Sequence, residues 1–411
     1  MTALNLKIAV LSTHSCPVGK LGGKDTGGMS VYVHETASRL GKLGHSVDVF
    51  TRNKDKNDLA IAGLGHNARL IHLPAGGDGE IDKIALYSYL PDFAGNVEDF
   101  REDNDLHYDL ILSHYWLSGR AGQMLQQCWD VPHIVMFHTL GAVKNTLTVG
   151  EEEPELRLET ERELAQDCSY IIAATPQEKI ALIRYYDAKP ERMSVIPCGV
   201  NLELFQPVDK VVARQQLGLN GEKLVLFVGR IEPLKGIDQL LRAIPLLPDT
   251  QKLRLIIIGG DEYSRYEIER LKELARTLGI ENMVTFPGLV KQEQLPWFYS
   301  AADVCVSPSH YESFGLVPLE SLACGTPVVA TDVGAAGSVI RNETAGYVVA
   351  DNSPELLAEK IALILARPRV DTASIQSIRS SVSRFSWDKT AKTLLKVCRR
   401  ALARYPTLVP S

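Results

Sequence analysis

The sequence predicts an α/β protein made of two Rossmann-like, doubly wound domains. Its 411 residues exceed what one hydrophobic core fills, since single cores stop growing at roughly 250–300 residues. Short β-branched apolar runs alternate along the chain with glycine or polar turns and helical stretches, the pattern of parallel strands buried on both faces. That alternation starts afresh after NLELFQPVD (201–209). The expected units are therefore residues 1–205 and 206–385, with 386–411 as a C-terminal helix that crosses back to the first unit.

In the first unit the expected strands are KIAVLST (7–13), SVDVFTR (46–52), ARLIHLP (68–74), DLILSH (109–114), HIVMFHT (133–139), YIIAAT (170–175) and SVIPCGV (194–200). In the second they are LVLFVGR (224–230), LRLIIIGG (253–260), MVTFPG (283–288), DVCVSPS (303–309) and PVVATD (327–332). YEIERLKELARTLGI (266–280) carries apolar residues at helical spacing and reaches a C-cap glycine at Gly279. SWDKTAKTLLKVCRRALARY (386–405) is a basic amphipathic helix with no strand after it. A solvated basic face is its ordinary reading, and attachment to a membrane surface the lesser one.

Composition narrows the function. Hydrophobic residues make up 45% and charged residues 23%, the balance of a soluble globular protein. A net charge of −6 argues against nucleic acid as a partner, because phosphate-backbone binding needs a concentrated basic face. The start MTALNLKIAVLSTH has no small-residue cleavage site, and no apolar run nears the roughly 18 residues that span a bilayer. Seven dispersed cysteines without a C-x-x-C pair suit a reducing cytoplasm. No Asp/His/Cys cluster has metal-ligand spacing, His14 with Cys16 being too small a set.

Open doubly wound sheets bind ligands beyond the carboxyl ends of their strands, and three loops there carry chemistry. The first, KLGGKDTGG (20–28), leaves the first strand through Gly22, Gly23, Gly27 and Gly28 and enters a helix. Close backbone approach and about half a positive charge at the helix start make it an anion site. It fits neither G-x-x-x-x-G-K-[ST] nor G-x-G-x-x-G, and GLGHNA (63–68) precedes a strand instead of opening a helix. An ordinary surface loop is the competing reading.

GRIEPLKG (229–236) sets Arg230 and Lys235 on either side of Pro233. A planar guanidinium and a point-charge ammonium can together neutralise a diphosphate; two solvated cations are the plain alternative. HYESFGLVPLES (310–321) puts Glu312 in a loop and Glu320 in the first turns of a helix, with Phe314, Gly315 and Leu316 at a positively polarised helix start. The rival chemistry is a glycoside hydrolase with its two carboxylates, and spacing alone does not separate the two.

Together GGMSVYV (27–33), FHTLGAVKN (137–145), GRIEPLKG and ESFGLVPLE (312–320) resemble, in that order, the retaining nucleotide-sugar glycosyltransferases with the E-x7-E motif, glycosyltransferase family 4. The resemblance covers nearly the whole chain and implies the GT-B fold, two Rossmann-like domains facing across a cleft. SHYWLSG (113–119) and HTLGAVKN (138–145) look most like the branch that transfers N-acetylglucosamine from UDP to inositol 1-phosphate in mycothiol synthesis; the sucrose-phosphate synthases come next.

What the resemblance implies is a cytoplasmic, metal-independent, retaining transfer from a UDP-sugar to a small phosphorylated polyol such as an inositol phosphate. Transfer to a sugar phosphate, or to a lipid-linked or polymeric acceptor, is the enzymatic alternative, and a nucleotide-sugar-binding regulator the non-enzymatic one. No cofactor is implied, the UDP-sugar being a substrate, and the oligomeric state, a homodimer included, is open. Arg230 and Lys235 would bind the donor diphosphate, helped by the backbone at Gly28. Glu320 would hold the ribose hydroxyls and Glu312 a hydroxyl of the transferred sugar. The backbone of Ser313, Phe314, Gly315 and Leu316 would contact sugar and diphosphate, and His138 would lie close to the reacting carbon.

An acceptor phosphate would meet Lys83, Tyr115, Thr139, Lys144 and Arg157 on the same resemblance. Ser30, near the acceptor, stands where that branch has Asn. Plain roles compete for some of these residues. His138 could be a hydrogen-bonded core histidine, Lys83 a solvated lysine, Arg157 a counter-charge to EEEPE (151–155) and Tyr115 core packing.

Overall fold

The computed structural model describes residues 5–405 apart from positions 20, 24, 56–57, 220, 251 and 368–370. Positions 20 and 24 of the glycine loop and 406–411 of the expected C-terminal unit thus lie outside the described residues.

Eight strands form the first sheet: β1 Lys7–Leu11, β2 Ser46–Arg52, β3 Ile61–Gly65, β4 Ala68–Leu73, β5 Leu110–His114, β6 His133–Met136, β7 Tyr170–Ala173 and β8 Met193–Val195. Their order is β3-β4-β2-β1-β5-β6-β7-β8, parallel throughout except for the antiparallel pair β3–β4. The second sheet is wholly parallel in the order β11-β10-β9-β12-β13-β14. Its strands are β9 Lys223–Val228, β10 Leu253–Ile258, β11 Val284–Gly288, β12 Val304–Ser307, β13 Val328–Thr331 and β14 Gly346–Val349.

Every expected strand is present, and two more, β3 and β14, were not foreseen. The string GLGHNA lies across the β3–β4 hairpin, whose turn residue Asn67 has a φ of +53°. β8 ends at Val195, short of the expected 200. Pro197 follows it and has no N–H to give a ladder, and its carbonyl instead accepts from Thr390 Oγ1 at 2.9 Å.

Alternation along the strands sorts residues to the two faces of each sheet. In β1, Ile8 and Val10 join one core while Ala9 and Leu11 join another; in β9, Leu224 and Leu226 face one way and Val225 and Phe227 the other. Both faces of both sheets are thus buried, which explains the near-continuous apolar runs.

The chain passes between the sheets twice at one place. Val200 donates to the Phe385 carbonyl at 2.8 Å and bridges Ser386. Arg379 donates to the carbonyls of Leu202, Phe205 and Ala323, tying the outgoing linker to the second unit. The helix Trp387–Arg404 then lies on the helix Gly28–Lys42 of the first unit. Trp387 meets the Tyr32 ring edge-on at 5.6 Å, and Arg39 pairs with Asp388 at 3.1 Å. Its apolar side, including Leu394, Val397, Cys398 and Ala401, is buried, while Lys392, Lys396 and Arg399 are exposed. That burial spends the helix's apolar side on the first unit. Among the described residues no helix is long and apolar enough to cross a membrane.

Candidate active site

The carboxyl ends of the two sheets face each other across a cleft of about 400 Å³. Segments following β1, β5 and β6 line it on one side, and those following β9 and β12 on the other. The glycine loop touches both donor motifs. A Cβ on Gly27 would lie 3.8 Å from Arg230 Nε, and one on Gly28 3.6 Å from Leu316 Cδ1.

The second unit supplies Arg230, paired with Glu232 at 2.9 Å, and Lys235, whose Nζ lies 2.6 Å from Glu312 Oε1. Glycine at 236 makes this placement possible. Its φ is +64°, and a Cβ there would meet the Pro308 carbonyl oxygen at 2.1 Å, so the Lys235 turn can press directly onto the end of β12. Ser309 Oγ donates to the same Glu312 oxygen at 2.9 Å.

Gly315, with a φ of +86°, turns the loop into the helix Leu316–Ala323. No described group accepts from the N–H of Phe314, Gly315 or Leu316, which leaves the helix start as an anion site. Glu320 lies one turn on, 8% exposed, accepting from the Tyr299 hydroxyl at 2.8 Å. Burial pushes its pKa up to about 7 against that hydrogen bond.

On the first unit, Lys83 lines the cleft and pairs with Asp25 at 2.9 Å, with Lys54 further off at 3.7 Å. Burial alone would raise Asp25, but the Lys83 ammonium and the His14 ring hold it at about 2. Tyr115 lines the cleft with a φ of +77°, its ring 4.5 Å from that of His14. His138, with a φ of +61°, and Thr139 follow β6; Lys144 lies beyond them, ion-paired to Glu153. Positive φ at two non-glycine residues facing one cleft is local strain that the surrounding fold must hold in place.

All the site residues expected from the sequence line this cleft except Ser30 and Arg157. Ser30 is fully buried, its hydroxyl 2.6 Å from Ser15 Oγ. Arg157 is 1% exposed and already engaged. It pairs with Glu153 and Glu161 at 2.8 Å each, donates to Thr139 Oγ1 at 2.9 Å, and lies 4.9 Å over the Tyr115 ring. The Arg157 guanidinium thus lies behind the cleft lining, held by two carboxylates and joined to Thr139 and Tyr115, which do reach the cleft.

Sequence reading also missed cleft residues, among them Asp25, Glu232 and Tyr311. Nothing in the local sequence marks Asp25 or Glu232; the fold sets Asp25 against Lys83 and Glu232 against Arg230 in the cleft. Tyr311 reaches across the units: its hydroxyl accepts from the Leu140 N–H at 3.3 Å.

Two parallel-sheet units enclosing this cleft define a GT-B glycosyltransferase. The family model "Glycosyltransferase Family 4" matches residues 26–204, and "Glycosyl transferases group 1" matches residues 209–381. The chain belongs to glycosyltransferase family 4. The D-inositol 3-phosphate glycosyltransferase of Saccharomonospora viridis is 38% identical over 411 residues, 97% of this chain and 95% of that one. Its counterpart in Rhodococcus erythropolis is 39% identical over 415 residues, 97% of this chain and 92% of the relative.

Among solved structures, a sucrose-phosphate synthase from Thermosynechococcus elongatus matches with a TM-score of 0.90 at 34% identity, covering 97% of this chain and all 100% of the other. HepE from Anabaena in complex with UDP and glucose shares the fold, with a TM-score of 0.76 at 20% identity over 96% of this chain and 100% of its own.

Proposed function

We propose that the enzyme transfers a sugar from a UDP-sugar to a small phosphorylated polyol, an inositol phosphate, with retention at the anomeric carbon. The observation that carries this reading is the layout of charge across one cleft. Arg230, Lys235 and the start of the helix Leu316–Ala323 lie on the second-unit side, and Lys83 and Lys144 on the first-unit side. One anionic group fits at each end, a diphosphate and an acceptor phosphate, with the reacting carbon between them. The names of the relatives point to the same acceptor class.

Cleaving the sugar–diphosphate bond builds negative charge on the departing phosphate. Fixed cations and a helix start stabilise that charge more in the transition state than in the bound substrate. Glu320 holds the ribose hydroxyls and Glu312 a sugar hydroxyl. The acceptor attacks from the face that the diphosphate leaves, and a departing phosphate oxygen takes its proton. Glu312 is then not a nucleophile, and the diphosphate needs no metal ion.

UDP release from a panel of UDP-sugars with inositol phosphates and fructose 6-phosphate, with product identification and anomeric configuration by NMR, tests this reading. No turnover with any UDP-sugar overturns it; an inverted product or a requirement for a divalent ion overturns those parts. The match to a sucrose-phosphate synthase favours a second reading, a sugar phosphate as acceptor, and the same panel separates the two.

A further inference from the structure

Two histidines meet behind the cleft wall. His114 ends β5, 1% exposed, and the parallel register sets it beside Met136, two residues before His138. His114 Nδ1 lies 2.8 Å from His138 Nε2, and Tyr32 packs edge-on to both rings. Burial drives both imidazoles below their ordinary range, His138 to about 3, so each carries a single proton near neutral pH.

One ring nitrogen must donate to the other, which leaves two arrangements. If His138 Nε2–H donates, the proton of His114 sits on its Nε2, which is buried with no partner among the described residues. That is an orphaned N–H. If His114 Nδ1–H donates, the orphan at Nε2 is only a lone pair. Buried donors without an acceptor are rarer than under-used acceptors, because a donor left unpaired away from water loses its hydrogen bond outright.

We infer that His114 is a positioning residue that holds His138 in its Nδ1–H tautomer, so that His138 offers the cleft a hydrogen-bond donor. A protonated Nδ1 cannot take a proton from the acceptor; it can steady an oxygen of the donor sugar. What His138 meets rests on the proposed function, but its tautomer does not.

Long-range ¹H–¹⁵N correlation on the full chain labelled in histidine, without substrate, reads the tautomer. The expected pattern at His138 is a protonated Nδ1 and a bare Nε2, unchanged between pH 6 and 8; an Nε2–H pattern overturns the inference whatever the activity. His114→Phe is expected to mix the tautomers and lower kcat about tenfold, the upper end for one hydrogen bond, with donor KM little changed. His114→Asn, whose amide N–H₂ takes the place of Nδ1–H, should restore both the pattern and most of kcat. Unchanged kcat in a folded His114→Phe variant overturns the positioning role. If that variant does not fold, the wild-type spectrum and the Asn variant decide. A chain with the expected tautomer and no turnover on any UDP-sugar would sink the proposed function alone.

Discussion

Lys235 Nζ lies 2.6 Å from Glu312 Oε1, and both side chains line the cleft. On the proposed function, a diphosphate arriving beside Lys235 would compete with Glu312 for the ammonium and release Glu312 to accept from a sugar hydroxyl. The two residues therefore act as a unit. Lys235→Ala is expected to cost about 2–4 kcal/mol in kcat/KM, the range for removing a preorganised electrostatic group. The double variant with Glu312→Gln should lose less than the sum of the single losses, by about 1 kcal/mol or more. Steady-state kinetics on the four proteins checks this, and strict additivity would show that the pair is not coupled.

On the proposed function, Glu320 should make donor binding depend on pH. Burial raises its pKa to about 7, so at pH 8 it is mostly carboxylate and at pH 6 mostly carboxylic acid. The ribose hydroxyls proposed to bind it need the acceptor form. The affinity for a UDP-sugar is therefore expected to weaken as pH falls from 8 to 6, by up to about tenfold, one logarithmic unit below the midpoint. Calorimetric titration at several pH values measures it. Glu320→Gln should bind more weakly at pH 8 and show a flat profile across this window; a slope that survives the substitution assigns the titration to another group.

Much of the fold was legible because both sheets are parallel and buried apart from the antiparallel edge strand β3, so their strands appear as continuous β-branched runs. β3 escaped because Ile61–Gly65 is a largely exposed, glycine-containing strand at a sheet edge, and β14 because Gly346–Val349, at an edge of the second sheet, is a short run opening on a glycine with a φ of +134°. The candidate site was legible where a motif stands at a strand end, as with Arg230, Lys235 and Glu312. It was not legible where a charge changes meaning through a distant partner. Arg157 reads in sequence as a counter-charge or a phosphate contact, and its burial against Glu161, hidden in the helix Glu155–Asp167, shows only in the fold. Asp25 gains its role only through Lys83, 58 positions later in sequence.

A buried ion pair and a cleft-lining lysine predict different losses. Arg157→Ala strands Glu161, which has no exposed side-chain surface, and breaking a buried pair from one side costs about 3–5 kcal/mol. A clear drop in melting temperature is expected, together with lost turnover. Lys83 is about a third exposed at its side chain, and Asp25 keeps Lys54 at 3.7 Å when Lys83 is removed, so Lys83→Ala should lower the melting temperature less than Arg157→Ala and raise KM for the phosphorylated acceptor while sparing KM for the donor. Differential scanning calorimetry beside two-substrate kinetics separates them. Equal effects on donor and acceptor KM would remove Lys83 from the acceptor side.

Stability itself should carry a slope in pH set by Glu178. Its Oε2 accepts from the Ala174 N–H at 2.6 Å, while Oε1 is buried without a hydrogen-bond partner among the described residues, and burial raises its pKa to about 7 from an ordinary 4.5. Between those two values the folded chain binds more protons at this site than the unfolded chain does. The contribution is therefore fully present below about pH 4.5, falls as pH rises toward 7, and stays lost above it. Glu320, raised in the same way, adds to the slope with the same sign. Glu178→Gln keeps the carbonyl that caps Ala174 and never charges, so it should stabilise the protein at pH 8 by about 2–3 kcal/mol relative to its effect at pH 5, from 1.36 kcal/mol per pKa unit. Denaturant unfolding at both pH values measures the difference. A gain of the same size at both would mean that Glu178 does not titrate in this window.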